Sequence, residues 1–336
     1  MRRLSDQRAL SLVALFLLAS SCLIWAQSSS QNPPPQTPLS SEEPTFTVGT
    51  RLVVLPVSVL DKSGKLVTDL QQKAFKVFEN GVEQPIKIFR REDVPISLGM
   101  IIDNSGSMRE KRQKVETASV DLVKASNPQD EVFIVNFNDD AFLDVPFTND
   151  IKKMEEGIAR IDSRGGTAMR DAISMSMDYL RKEGKRQKKV LLIITDGNDN
   201  ASNISLEKLV NRAQQNEVLV YAIGLLNEEE RREARLAKRA LDSISHDSGG
   251  LAFYPKGASD VDEIALQVAH EIRNQYTIAY SPTVQQMDGS FRQIKVTVNG
   301  PGHPTVRTRT GYYATPDSGP KKALDSEPKK AVSQLP

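Results

Sequence analysis

The segment "IIDNSGSM" at residues 101–108 sets a carboxylate and two hydroxyls, Asp103, Ser105 and Ser107, at alternate positions where an apolar run stops. Thr167 in "SRGGTAM" and Asp196 in "IITDGNDN" are further oxygen donors, the first behind a Gly165-Gly166 pair that permits a tight backbone path. A set with no thiol and no neighbouring imidazole selects a hard cation. Its small size suits Mg2+ or Mn2+ better than Ca2+, which takes about six to eight oxygens. Two aspartates only neutralise such an ion and hydroxyls add no charge, so the metal stays electron-poor. A carboxylate from another molecule would complete its coordination by a charge-assisted contact. Taken singly, each hydroxyl has a plainer reading: Ser105 or Ser107 as N-cap of a helix starting at Met108, and Thr167 as N-cap of another.

These donors are far apart in sequence, so a scaffold must gather them. "ISLGMIID", "EVFIVNF", "KVLLIITD" and "EVLVYAIGL" are near-continuous apolar runs of strand length, the signature of strands buried on both faces. Between and after them, 108–125, 150–161, 168–181, 206–215 and 261–274 carry helical amphipathicity. The mixed-charge stretch 227–250 reads as an exposed helix with a narrow stripe of Leu236, Ala240 and Ile244. This alternation predicts an α/β fold with a doubly wound, mostly parallel sheet and helices on both faces. "AFLDVPFT" follows "EVFIVNFNDD" so closely that only a hairpin fits, and its Pro146 suits an antiparallel edge strand. In such sheets the ligand crevice opens beyond the carboxyl ends of the strands, where the winding reverses, and two buried strands end there in Asp103 and Asp196.

Residues 49–93 and 277–315 show β alternation instead, broken by Asn80-Gly81, Asp288-Gly289 and the glycines at 300 and 302. Neither flank has enough strands to stand alone. The expectation is that they pair into one small all-β sandwich, with the α/β section 94–276 inserted between its halves.

The order D-x-S-x-S, Gly-Gly-Thr and T-D-G on this element pattern resembles the metal-ion-dependent adhesion site of von Willebrand factor type A domains, over about half of the chain. The flanking segments "LVTDLQQKAFKVFENGVEQPIKIF" and "FRQIKVTVNGPGHPTVRTRTGYYA" resemble those of exported von Willebrand A-related proteins of Acidobacteria. The resemblance implies a Rossmann-like von Willebrand A fold, with Asp103, Ser105, Ser107 and Thr167 at or next to the metal and Asp196 holding a metal-bound water. Asn104, Gly166 and Gly197 would form the ligand-binding rim. Gly106 is read as the turn that brings both serines inward; Asp199 and Asn200 as rim support, or as a cap for the helix following Ser205. The implied function is binding, as adhesion or envelope protein–protein interaction, to a partner that donates an Asp or Glu carboxylate. In such domains the final helix can slide when the metal gains a ligand.

Two other functions compete. A metal-dependent hydrolase needs a base or nucleophile beside the ion, yet His246, His270 and His303 are scattered, and the sequence has no H-E-x-x-H, G-x-S-x-G or phosphate loop. "DSGG" at 247–250 reads as a helix stop. The protein is therefore read as no enzyme. The second alternative is a structural or assembly component of a cell-envelope complex with a purely structural metal.

With 44 basic and 43 acidic residues the net charge is +1, so no global field favours nucleic acid or an anionic membrane. The basic run at 181–189 reads as a solvated connection. Arg2 and Arg3 ahead of the apolar stretch 9–26 fit a secretory signal cleaved after Ala26, giving an exported protein of the periplasm, cell surface or medium. An uncleaved anchor, or a lipid on Cys22 in "LASSC", are the alternatives that would hold it to a membrane. Cleavage would leave no cysteine, so the core must suffice without disulfides. The Pro/Ser-rich 27–48 and the tail 316–336 read as disordered.

Overall fold

The computed structural model describes residues 51–91, 93–159, 163–226, 231–256 and 260–315. The expected signal, Cys22, the tether 27–48 and the tail lie outside them. Among the described residues no helix is long and apolar enough to cross a membrane.

The leading flank forms β1 (Val53–Leu60), β2 (Phe75–Glu79), β3 (Val82–Gln84) and β4 (Ile86–Arg90). Asn80 and Gly81 both take positive φ, 48° and 82°, which turns β2 directly into β3. The central section supplies β5 (Ile96–Asp103), β6 (Glu131–Phe137), β7 (Ala141–Thr148), β8 (Lys188–Thr195), β9 (Leu219–Gly224) and the two-residue β10 (Ala252–Phe253). Its helices are α1 (Arg112–Ala125), α2 (Ile151–Ala159), α3 (Met169–Glu183), α4 (Leu206–Asn216), α5 (Arg231–Ser248) and α6 (Val261–Arg273). The trailing flank adds β11 (Tyr276–Tyr280), β12 (Phe291–Val298), β13 (Thr305–Arg307) and β14 (Gly311–Tyr313).

The central strands make one sheet in the order β10-β9-β8-β5-β6-β7, parallel throughout except for the β6–β7 hairpin at its edge. On one face Leu98, Met100 and Ile102 of β5 pack with α1, α2 and α6; on the other, Ile101 and Phe133 pack with α3, α4 and α5. The chain runs from β5 through α1 to β6 on one side, and later returns through α3 to β8 on the other. The winding therefore reverses around β5. Gly99 is needed there, because a Cβ would lie 2.3 Å from the Phe133 ring.

The flanks interleave. One sheet runs β13-β1-β11-β4 and the other β14-β12-β2-β3, so each contains strands from both ends of the chain. Val53, Leu55, Val57, Phe75, Val77, Tyr276, Ile278 and Ile294 form their common core. This joins strands that no single flank could stabilise.

Three local expectations need correction. The helix expected from Met108 starts as a 3-10 turn, Gly106–Glu110, and becomes α-helical only at Arg112. The inward stripe of α5 is Ala237, Leu241, Ile244 and Ser248, while Leu236 stands 39% exposed; uniform steps of four drift around a helix, whereas steps of four, three and four stay on one face. The basic run 181–189 is not wholly solvated, since the Lys188 ammonium is drawn under α6, where it donates to the Ile272 carbonyl. Burial pushes that lysine down to about 8.

The end of α6 is fastened to both β systems by a buried carboxylate. Glu271 accepts from Ser58 of β1 at 3.2 Å, from Tyr221 of β9 at 3.0 Å, and from Arg307 of β13. Burial, with Glu271 nearby, holds the Tyr221 phenol well above its usual range, so it stays a donor. Gln275 completes the knot by donating to Ser58 and Tyr221. Glu271→Ala leaves a guanidinium without its buried partner and two hydroxyls without an acceptor. Its expected cost, read from urea denaturation midpoints, is about 3 to 5 kcal/mol.

Candidate metal centre

Parallel pairing of β5 with β8 sets Ile102 opposite Ile194, so the two strands end side by side with Asp103 next to Thr195 and Asp196. The Asp103 carboxylate accepts from the Ser105 amide at 2.8 Å on Oδ1 and from the Thr195 hydroxyl at 2.5 Å on Oδ2. Asp196 accepts from Ser107 Oγ at 2.8 Å on one oxygen and from Lys111 Nζ at 2.5 Å on the other. The hydroxyls of Ser105 and Ser107 are themselves 3.1 Å apart. An unbroken polar chain thus runs from Asp103 through both serines to Asp196 and Lys111.

The Thr167 loop closes over this chain from the third side. Ala168 N donates to Asn138 O at 2.6 Å, and Thr167 exchanges bonds with Asn200, its amide to Oδ1 at 2.9 Å and its carbonyl from the amide at 3.1 Å. Asp139 Oδ1 receives the Gly166 amide at 2.7 Å. Two backbone bonds, Gly106 N to Gly165 O at 3.3 Å and Arg164 N to Asn104 O at 2.9 Å, join the two loops. Gly165 has φ +75° and a Cβ there would meet Asp139 at 2.2 Å, so this position requires glycine. Gly106 does not: its backbone avoids the left-handed region and a Cβ would make only an ordinary contact at 3.8 Å. A Cβ on Gly197 would lie 3.6 Å from the Thr167 hydroxyl, which places that rim glycine against the third loop.

The N-cap alternatives do not hold. Ser105 sits at the N-cap of the 3-10 turn without a side-chain cap bond, and the N-caps of α1 and α3 are Lys111 and Ala168. The capping of α4 falls to Ser205, which accepts from Lys208 N at 3.3 Å. Asp199 instead accepts from the Arg170 amide at 2.7 Å at the start of α3, and Asn200 holds Thr167. Sequence reasoning gave no role to Thr195, Lys111 or Asp139. The first directly precedes Asp196 and the second lies four positions past Ser107, but only the folded loops show what each side chain touches.

Asp103 is fully buried, and burial pushes its carboxyl up to about 6; the hydrogen bonds from Thr195 and Ser105 oppose the rise, and the Asp196 carboxylate adds to it. Burial also acts to raise Asp199, but its bonds from Arg170 and Ser202 hold it below the usual range. Asn104 contributes a buried Oδ1 with no hydrogen-bond partner. Two carboxylates and three hydroxyls fit a small hard cation that keeps some of its waters. Among the described residues no three His, Cys, Asp or Glu side chains converge as a metal cluster, so the hydroxyls would be essential to any ion held here.

The von Willebrand factor type A domain profile matches residues 98–267. An uncharacterised protein of Borreliella burgdorferi is 32% identical over 104 residues, 30% of this chain and 30% of that protein. Mouse integrin alpha-11 is 31% identical over 110 residues, 31% of this chain but 9% of the integrin. These matches thus span less than a third of either curated relative. A von Willebrand factor type A structure from Catenulispora acidiphila superposes with a TM-score of 0.46 at 11% identity, covering 79% of this chain and 75% of that one.

The buried carboxyl gives a pH signature. Asp103 binds its proton more tightly when folded, at about 6, than at its ordinary value of 3.8. Its contribution is therefore full below pH 4 and is lost as pH rises through 6. In chelator, Asp103→Asn should be the more stable protein at pH 7.5 by roughly 3 kcal/mol, with the difference vanishing below pH 4. Urea denaturation across that range measures it.

Proposed function

Because this chain belongs to the von Willebrand factor type A domain family, we propose that it is an exported binding protein that captures a protein partner through a metal ion held at Asp103, Ser105, Ser107, Thr167 and Asp196. The observation that carries this reading is the continuous bond chain from Asp103 through Ser105 and Ser107 to Asp196, at the point where the sheet's winding reverses.

Mg2+ is the ion the donors suit best, with Mn2+ as substitute and Ca2+ a poorer fit. When bound, it supplies an electron-poor position for an outside Asp or Glu carboxylate. The protein's part is to hold the donors still. Thr195 and the Ser105 amide fix both oxygens of Asp103, which leaves the Ser105 and Ser107 hydroxyls as donors at the crevice. Asn200 and Asp139 fix the Thr167 loop through its backbone, so the threonine hydroxyl is not spent on capping. Asn104, Gly166 and Gly197 form the rim that the partner meets.

Binding is the use such domains typically serve, and the relation to an integrin agrees with adhesion. The structural-metal alternative asks an ion to staple loops that the backbone already joins at Gly106–Gly165 and Arg164–Asn104. Hydrolysis is disfavoured because His246, His270 and His303 are exposed on α5, on α6 and in a turn, outside the crevice.

Titration calorimetry should show one Mg2+ per chain. Asp103→Ala should abolish uptake, and Thr167→Ala should weaken it about ten- to a hundredfold. Partners captured from envelope extract should elute with chelator, and should be absent from the Asp103→Ala column. Chelator-resistant capture would contradict the metal bridge.

A further inference from the structure

The bond chain described above ends on a cation of the protein's own. Asp196 has a side chain only 1% exposed, and its second oxygen lies 2.5 Å from Lys111 Nζ, whose side chain is 31% exposed. The lysine is not a loosely placed surface group. Lys111 is both the C-cap of the 3-10 turn and the N-cap of α1, with its amide bonded to Met108 O at 3.0 Å and its carbonyl receiving the Lys114 and Val115 amides at 3.1 Å. That hinge aims the side chain at the end of β8. Of the neighbouring cations, Arg109 reaches the Ser163 carbonyl, while Arg112 pairs with Glu116 and the Ala159 carbonyl. Only Lys111 of these three reaches Asp196.

Charge counting gives this contact a consequence. Two carboxylates and one ammonium leave the crevice at −1, so a divalent cation must either displace the ammonium from Asp196 or share the carboxylate with it. Both outcomes weaken metal uptake, because like charges a few ångströms apart in a partly desolvated crevice repel. In exchange, Asp196 has a partner when no metal is bound.

Resting on the metal-site reading above, we propose that Lys111 is a built-in counter-ion that competes with the divalent metal for Asp196, stabilising the metal-free crevice and lowering its metal affinity. The residue thereby sets the metal concentration at which the site becomes able to bind a partner carboxylate. A merely structural ion pair at the start of α1 would stabilise the fold with no opposite effect on metal affinity.

The two signs separate these roles. Mg2+ is titrated calorimetrically into wild type, Lys111→Met and Lys111→Arg, and thermal unfolding of each is followed in chelator. Lys111→Met should bind Mg2+ about tenfold more tightly than wild type and, without metal, melt at a lower temperature. Lys111→Arg, which keeps the charge, should stay within about twofold of wild type. If Lys111→Met does not fold, Lys111→Gln carries the same comparison. Equal or weaker Mg2+ binding by the uncharged variant overturns this inference and leaves the metal site standing. A wild type that takes up neither Mg2+ nor Mn2+ overturns both.

Discussion

Two carboxylates withdrawn from water at the ends of neighbouring strands are the constraint around which this protein is arranged. Asp103 is fully buried and the Asp196 side chain nearly so. Burying charge is costly unless opposite charge or donors are supplied. The fold gives Asp103 uncharged donors from Thr195 and Ser105, and gives Asp196 a hydroxyl and an ammonium. That supply is enough to fold and too little to neutralise. On the reading proposed above, that deficit is the property a cation-binding crevice requires.

The sheet makes such a deficit tolerable. Strands β5 and β8 are buried on both faces, so their ends are held by the two packed helical layers, not by the crevice itself. The Thr167 loop is tied to Asn138, Asp139 and Asn200, residues from two other connections, which keeps the donors in place without any bond from the donor hydroxyl. On the far side, α6 is anchored by Glu271 to strands of both β systems. Any movement of that helix must therefore disturb the sandwich, and the interleaving of strands from both ends means the disturbance is shared by all of it. The flanks are more than tethers for the central section.

Much of this was legible from the chain because the strongest signals coincide. Uninterrupted apolar runs of strand length, rich in Ile, Val and Leu, suit strands covered on both faces, and "IIDNSGSM" and "IITDG" place aspartates at their carboxyl ends. The Asn80-Gly81 turn and the edge Pro146 carry their own stereochemistry and fell where expected. What stayed hidden depends on long-range contact. The two-residue β10 is too short to leave a periodic mark, and the true inward stripe of α5 is decided by its packing against β9 and α4, not by the run of polar residues around it. Lys188 reads as one more lysine in a basic run, until α6 covers it. Thr195, Asp139 and Lys111 have commonplace identities, and their roles come from contacts across 85 or more residues for the side chains of Lys111 with Asp196 and Thr195 with Asp103, and across 27 for the Asp139 carboxylate with the Gly166 amide. The readings of Ser105, Ser107 and Thr167 as helix caps failed because the loops hand that task to other groups, whereas the helix stop at 247–250 falls where expected, with α5 ending at Ser248 and Gly249 at φ 93°.

The central claim is that one hard cation is bound among these oxygens and nowhere else. Crystals soaked in Mn2+ and measured for anomalous scattering test it most directly. The account predicts a single strong peak roughly 2.0 to 2.3 Å from the Ser105 and Ser107 hydroxyls, bordered by Asp103, Thr167 and Asp196. An empty crevice in crystals that hold Mn2+ elsewhere, or a peak reached by neither serine, would contradict it.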